Sequence, residues 1–374
     1  MRFLHTADWQ LGMVRHVLDP DAQAQHAQAR LDAITRMADL ARDAGCAFAV
    51  VAGDVFETNQ VDRRTVARAL DALGAFACPV YLLPGNHDPL ATASVWTSPA
   101  FTDERPGHVH VLDDSAPRPA ADGIEIVAAP WRSKRPLVDL AAEATADLTA
   151  TGSARVLVAH GAVDALTPDR HALAAMRLAD LEAAVDDGRI AYAALGDRHS
   201  TTEVGQTGRI WYSGAPEPTA FREIDPGNAL VVDVTDGGCQ VTPHRVGQWQ
   251  FVERDVELGA EGDVEALDAE LEALPGKPRT VLRLALRGTV SLSEWQRLED
   301  LLERATERFA AVDQPAGHRD VAVHPDDADF ADLPLSGYAR ASRDRLRALA
   351  AEGDQAATAA DALGLLQRLA GRQP

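Results

Sequence analysis

Pro79-Val80-Tyr81-Leu82-Leu83-Pro84-Gly85-Asn86-His87-Asp88 is an apolar run that stops on an amide, an imidazole and a carboxylate in succession. The run reads as a buried strand followed by a turn. A buried strand gains nothing in packing from three hydrogen-bonding side chains at its end. A cation, by contrast, needs such donors gathered in one place. The ending is repeated along the chain. Phe3-Leu4-His5-Thr6-Ala7-Asp8 ends on Asp8, and Phe48-Ala49-Val50-Val51-Ala52-Gly53-Asp54 ends on Asp54. Downstream, Val156-Leu157-Val158-Ala159-His160-Gly161 ends on His160 and Tyr192-Ala193-Ala194-Leu195-Gly196-Asp197-Arg198-His199 ends on Asp197 and His199. A sheet edge that presents carboxylate, amide and imidazole at several strand ends can hold two divalent cations. Two such ions about 3.5–4 Å apart can both activate water and neutralise an anionic ester, and one carboxylate must bridge them.

The order of these five runs resembles the calcineurin-like metallophosphoesterases, whose motifs run Asp-x-His, Gly-Asp, Gly-Asn-His-Asp, a lone His, then Gly-His-x-His. Two segments bring the chain closer to the SbcD-type DNA-repair nucleases. One is the opening, Met1-Arg2-Phe3-Leu4-His5-Thr6-Ala7-Asp8-Trp9-Gln10-Leu11-Gly12, and the other is Trp211-Tyr212-Ser213-Gly214-Ala215-Pro216-Glu217-Pro218-Thr219. The resemblance covers residues 1–235 firmly and the remainder loosely. It implies a two-sheet αββα sandwich with Asp54 as the bridging carboxylate. Asp8, Gln10 and His199 would complete one metal, and Asn86, His160 and Asp197 the other. His87 would face the scissile phosphate and assist the leaving oxygen, with Asp88 holding its ring.

The chain departs from the family pattern at two places. Gln10 stands where the family has His, and Gly196-Asp197-Arg198-His199 stands where it has Gly-His-x-His. Both replacements keep an oxygen that can ligate. They make the donor set harder, which favours Mn²⁺, or else Mg²⁺, over softer metals. Asp197 also adds one negative charge.

The 374 residues are enough for two domains, and 46% hydrophobic with 25% charged residues is the composition of a soluble globular protein. No run is long enough to span a bilayer, and the first strand follows Arg2 at once, so the expectation is cytoplasmic with no membrane association. Cys46, Cys78 and Cys239 are odd in number and far apart, and read as buried reduced thiols. The net charge of −21 argues against tight unaided binding to DNA, whose affinity comes from cations that displace counterions. The best local cationic stretch is Trp131-Arg132-Ser133-Lys134-Arg135, so Arg132, Lys134 and Arg135 are the candidate DNA contacts.

Strand and helix patterns alternate to residue 245, with helices expected over 26–44 and 62–76, the second capped by Asp62. Strands are expected at 2–6, 47–52, 79–83, 109–112, 124–128, 155–159, 191–195, 209–213 and 229–234. His108 and His110 lie inside one of these, which points to strand packing rather than ligation. The expected organisation is α/β throughout: a catalytic domain over 1–247, a small βαβ capping domain over 248–325, then a linker and two C-terminal helices over 326–374, the helices at 338–351 and 355–370.

The expected function is a two-metal-dependent DNA nuclease. The resemblance implies 3′→5′ exonuclease and structure-specific endonuclease action, a homodimer, and partnership with an SbcC-type coiled-coil ATPase. Three alternatives stand beside it: a small-molecule phosphodiesterase on the same fold, a catalytically weak subunit that positions DNA for an ATPase, and a stand-alone nuclease.

Overall fold

Phe3 and Leu4 are neighbours on one strand and are both fully buried, on opposite faces. A strand with two apolar faces must lie inside a layered structure. The computed structural model describes residues 1–169, 172–235, 238–315, 319–323 and 337–351, with short stretches at 358–359, 362–363 and 365–366. The chain divides into two units, Met1–Gln250 and Phe251–Pro374.

In the first unit the elements run β1 (Arg2–Thr6), α1 (Pro20–Asp43), β2 (Ala49–Val51), α2 (Arg63–Leu73), β3 (Val80–Leu82), α3 (Pro99–Thr102), β4 (Val109–Val111), β5 (Arg118–Ala121) and β6 (Ile124–Ala129). They continue with α4 (Leu140–Thr145), β7 (Ala154–His160), α5 (Leu178–Asp186), β8 (Tyr192–Gly196), β9 (Thr202–Glu203), β10 (Ile210–Tyr212), β11 (Asn228–Thr235) and β12 (Gly238–Arg245). One sheet has the order β12-β11-β1-β2-β3-β4, and the other β5-β6-β7-β8-β10-β9. Strands β1 to β4 are mutually parallel, as are β6, β7, β8 and β10. Antiparallel strands close the remaining edges.

Three apolar layers hold this sandwich. Between the sheets, Phe3, Phe48, Val50 and Leu83 meet Ile126, Val156 and Tyr192. Outside the first sheet, Ile34 and Met37 of α1 and Leu70 and Leu73 of α2 cover Leu4, Ala49 and Val51. Outside the second, Leu181, Ala184 and Val185 of α5 cover Val127 and Leu157. Each large side chain buried in these layers contributes roughly 1.5–3 kcal/mol. The result is the expected αββα sandwich. Helix α1 starts earlier than its apolar stripe, because Asp19 caps it by accepting from Ala22 N (2.8 Å) and Pro20 fits its first turn. Asp62 caps α2 as expected, accepting from Thr65 N at 2.9 Å.

His108 Nε2 bonds the Leu73 carbonyl (3.1 Å), and His110 stacks on Tyr81, so neither ring is set to ligate. The three cysteines are free thiols, but only Cys46 is buried as expected, and Cys78 and Cys239 are half-buried. No helix among the described residues is long and apolar enough to cross a membrane.

The second unit contains β13 (Gln250–Leu258), α6 (Asp263–Ala273), β14 (Thr280–Val290), α7 (Leu292–Arg308), β15 (Ala311–Asp313), β16 (Arg319–Val323) and α8 (Gly337–Ala351). Strand β14 pairs in parallel with β15 along its first half and with β16 along its second, so α7 is the crossover of a βαβ unit. Leu282, Leu284 and Leu286 pack under Leu267, Leu271, Leu298 and Leu301 of the two helices. A capping box of Ser291 and Glu294 starts α7. The linker expected over 326–335, and most of the helix expected over 355–370, lie outside the described residues.

Candidate metal centre

The carboxyl ends of β1, β2 and β3 in one sheet meet those of β7 and β8 in the other, which is where open α/β sheets gather ligands. The loops leaving them are tied crosswise. Asp8 N donates to Gly53 O (3.0 Å), Gln10 N to Asp54 O (2.8 Å), and Asp197 N to both Asp8 oxygens (3.1 Å each). His87 N donates to Asp54 Oδ1 at 3.0 Å. Packing here leaves no room for a Cβ at three glycines. One at Gly53 would stand 2.2 Å from His160 Nδ1. One at Gly85 would stand 2.2 Å from Asp54 Oδ1, and one at Gly196 would stand 2.0 Å from Ala52 O. Four donors, Asp8, Gln10, Asp54 and Asp197, hold positive φ angles of 56°, 43°, 54° and 98°. Non-glycine residues adopt that region only at a cost, and such strain concentrates at functional sites.

The side chains fall into two sets around Asp54. On one side His160 Nε2 lies 3.4 Å from Asp54 Oδ1, 3.8 Å from Asp197 Oδ1 and 2.6 Å from Asn86 Oδ1. On the other, His199 Nε2 lies 4.0 Å from Asp8 Oδ1 and 3.2 Å from the Gln10 amide nitrogen. Asp8, Asp54 and His160 are buried, and each offers a donor atom within 4.8 Å of the others. His87 stands at the edge, with Nε2 3.9 Å from Asp54 Oδ2.

This donor set fits divalent cations on three observations. The Asn86 amide oxygen faces only acceptors, an arrangement that a cation between them relieves. Gln10 Oε1 is buried and has no partner among the described residues. His160 Nδ1 donates to Ala52 O (2.8 Å), which turns the Nε2 lone pair inward. The field has the same sense. Burial lowers the His160 pKa, but Asp54, Asp8 and Asp197 outweigh it and raise it well above its usual value. Burial pushes Asp8 up to about 6, with His199 and His160 opposing. For Asp54 the outcome is reversed: burial again raises it, but His160 and His87 together hold it below the usual carboxylate range. The centre therefore favours positive charge at its middle.

The family model for Calcineurin-like phosphoesterase matches residues 1–248. The chain belongs to that family. Its members are metal-dependent phosphoesterases, so this phosphoesterase has the fold and donor set for phosphoester hydrolysis. Among solved structures it is similar to TT1561 of Thermus thermophilus, at 11% identity and a TM-score of 0.38, over 65% of this chain and 98% of that one. It is also similar to the purple acid phosphatase PPD1 from yellow lupin (Lupinus luteus) seeds, at 11% identity and a TM-score of 0.40, over 66% of this chain and 51% of that one. No curated protein matches the sequence.

The structure of the phosphoesterase corrects one expected role. Asp88 does not hold the His87 ring. It is fully buried and accepts from Gly85 N (2.7 Å) and Phe56 N (2.9 Å), closing the turn that aims Asn86 and His87. Burial and the Asp54 charge push its pKa up to about 8, against these two N–H groups. The ring is held instead by the Glu57 carbonyl, which accepts from His87 Nδ1 at 3.0 Å. Arg132, Lys134 and Arg135 lie outside the metal centre on the exposed loop between β6 and α4, and Arg132 donates to Asp113 O at 2.6 Å. That loop begins at the centre, because Trp131 Nε1 donates to His160 O at 2.7 Å. Three residues escaped the sequence reading: Glu57, Thr219 and Glu223. Glu57 and Glu223 end no strand, and Thr219 closes a segment whose likeness carried no role for it.

Proposed function

We propose that this phosphoesterase is a two-metal-dependent DNA nuclease, a 3′→5′ exonuclease with structure-specific endonuclease action in DNA-end processing and repair. The observation that carries the chemistry is the division of seven donors into two sets sharing Asp54, with His87 beside them. Asp8, Gln10 and His199 would hold one cation and Asn86, His160 and Asp197 the other. Bound divalent cations supply charge neutralisation on the ester and acidify water. The donor hardness favours Mn²⁺, with Mg²⁺ next. His87 in its doubly protonated form would give its Nε2 proton to the leaving oxygen, because the Glu57 carbonyl holds Nδ1–H and Nε2 faces the centre.

DNA as substrate is supported by the likeness of the opening and of Trp211–Thr219 to SbcD-type nucleases, and by the exposed Arg132, Lys134 and Arg135 on the loop anchored at His160. The same likeness supports an SbcC-type coiled-coil ATPase and a second copy of the chain as partners. The net charge of −21 favours a second reading, a small-molecule phosphodiesterase. End-labelled DNA digested with Mn²⁺, beside a chelator control and His87→Ala, separates the two. Stepwise shortening that the chelator stops supports the nuclease. Turnover of a chromogenic diester with no DNA cleavage supports the second reading.

A further inference from the structure

The two histidines of the centre differ in what stands behind them. His160 Nδ1 donates to a neutral partner, the Ala52 carbonyl. His199 Nδ1 lies 3.0 Å from Glu223 Oε1 and 2.7 Å from Thr219 Oγ1. The Thr219 hydroxyl donates to Glu223 Oε1, so it meets the ring as an acceptor. Both neighbours of Nδ1 are then acceptors, and Nδ1 must carry the proton. The second carboxylate oxygen, Oε2, accepts from Thr219 N at 2.8 Å. The Glu223 carboxylate is 5% exposed, and its loop is fixed where Ile224 N donates to Ser200 Oγ at 2.9 Å.

We propose that Glu223, with Thr219, is a positioning residue that locks His199 with its Nε2 lone pair toward Asp8 and Gln10 and selectively tightens the cation held there. This rests on the reading of the site as a two-cation centre. A carboxylate on the far nitrogen of an imidazole fixes its tautomer and raises the basicity of the ligating nitrogen, and a neutral carbonyl does so less. Each position has one carboxylate of its own beside the shared Asp54, Asp8 at one and Asp197 at the other, so the asymmetry between them lies behind the two imidazoles. Glu223 adds a negative charge behind His199 that the Ala52 carbonyl does not add behind His160.

Glu223→Gln tests this. The amide keeps the volume but has one acceptor where the carboxylate has two. If its oxygen takes Thr219 N–H, its NH₂ faces His199 Nδ1 and forces the ring proton onto Nε2, closing the lone pair to a cation. If its oxygen takes His199, the NH₂ opposes Thr219 N–H. Calorimetric titration of the full chain with Mn²⁺ is expected to show one of two affinities reduced about 10–100-fold and the other unchanged. The affinity that falls should be the one that Asp197→Asn leaves intact. The melting temperature of the metal-free protein should stay at the parental value. Thr219→Val, which keeps the carboxylate, should move the same affinity in the same direction by less, and it stands in should Glu223→Gln fail to fold. Two parental affinities in both variants would overturn the proposal. So would equal loss at both positions with a lower metal-free melting temperature, since that marks a structural residue. A parental chain that binds no Mn²⁺ would instead overturn the two-cation reading itself.

Discussion

Removing the His87 ring should separate proton transfer from metal binding. His87 hydrogen-bonds Asp54 only through its backbone N–H, its Nε2 stands 3.9 Å from Asp54 Oδ2 and its ring is held by Glu57, so His87→Ala leaves the donor sets in place. Turnover of a diester should fall by about 10²–10⁴-fold while Mn²⁺ content stays parental. Asp88→Asn should do the reverse. One of the Gly85 and Phe56 N–H groups loses its acceptor, at a cost of roughly 1–3 kcal/mol in urea unfolding, while turnover per folded molecule stays near parental. Adjacent residues in one motif thus take different work, and sequence adjacency alone suggested a shared one. The turn sends the Asp88 side chain into the core and the His87 ring to the edge of the centre. Asp197 is set apart in the same way. Its φ of 98° turns its carboxylate to 3.8 Å from His160, while Arg198 turns to Thr202 Oγ1. Asp197→Asn removes a charge from that position, so Mn²⁺ affinity there should fall. An affinity equal to the parent's would mean the carboxylate does not ligate.

The strands that position the centre are the ones whose apolar runs end on donors, and this is why they could be read. Strands β1, β2, β3, β7 and β8 are buried along nearly their whole length, so composition alone marks them. Strand β12 could not be read this way. It lies at a sheet edge with alternating half-exposed positions, and Gly238-Cys239-Gln240-Val241-Thr242-Pro243-His244-Arg245 has no apolar run. The short edge strands β5 and β9 escaped for the same reason. Helix α1 begins at Pro20, well before its apolar stripe, since its start is set by a cap rather than by packing. Glu223 reaches His199 from a loop, and loops carry no periodicity. The tightness of the strand ends also makes a prediction about an element with no donor of its own. Gly85→Ala places a Cβ 2.2 Å from Asp54 Oδ1 and 2.5 Å from Asp54 N, and the second neighbour is backbone and cannot move aside. Metal content after Mn²⁺ reconstitution should drop although every ligand remains, and a parental content would show that the β3 turn yields.

For the molecule as a whole, charge sets the terms of any encounter with DNA. With a net charge of −21, binding by the isolated chain must come from local patches and should weaken steeply with salt. Replacing Arg132, Lys134 and Arg135 together by Gln should flatten the slope of log affinity against log salt by up to about 0.9 for each phosphate that is no longer neutralised. An unchanged slope would place the DNA surface elsewhere. Beneath substrate choice lies the claim on which the rest depends, that two strand-end clusters share Asp54 and hold two cations. Metal analysis of the full chain reconstituted with Mn²⁺ and freed of excess tests it most directly. Close to two Mn²⁺ per folded chain is expected, and zero or one per folded chain would overturn the two-cation centre.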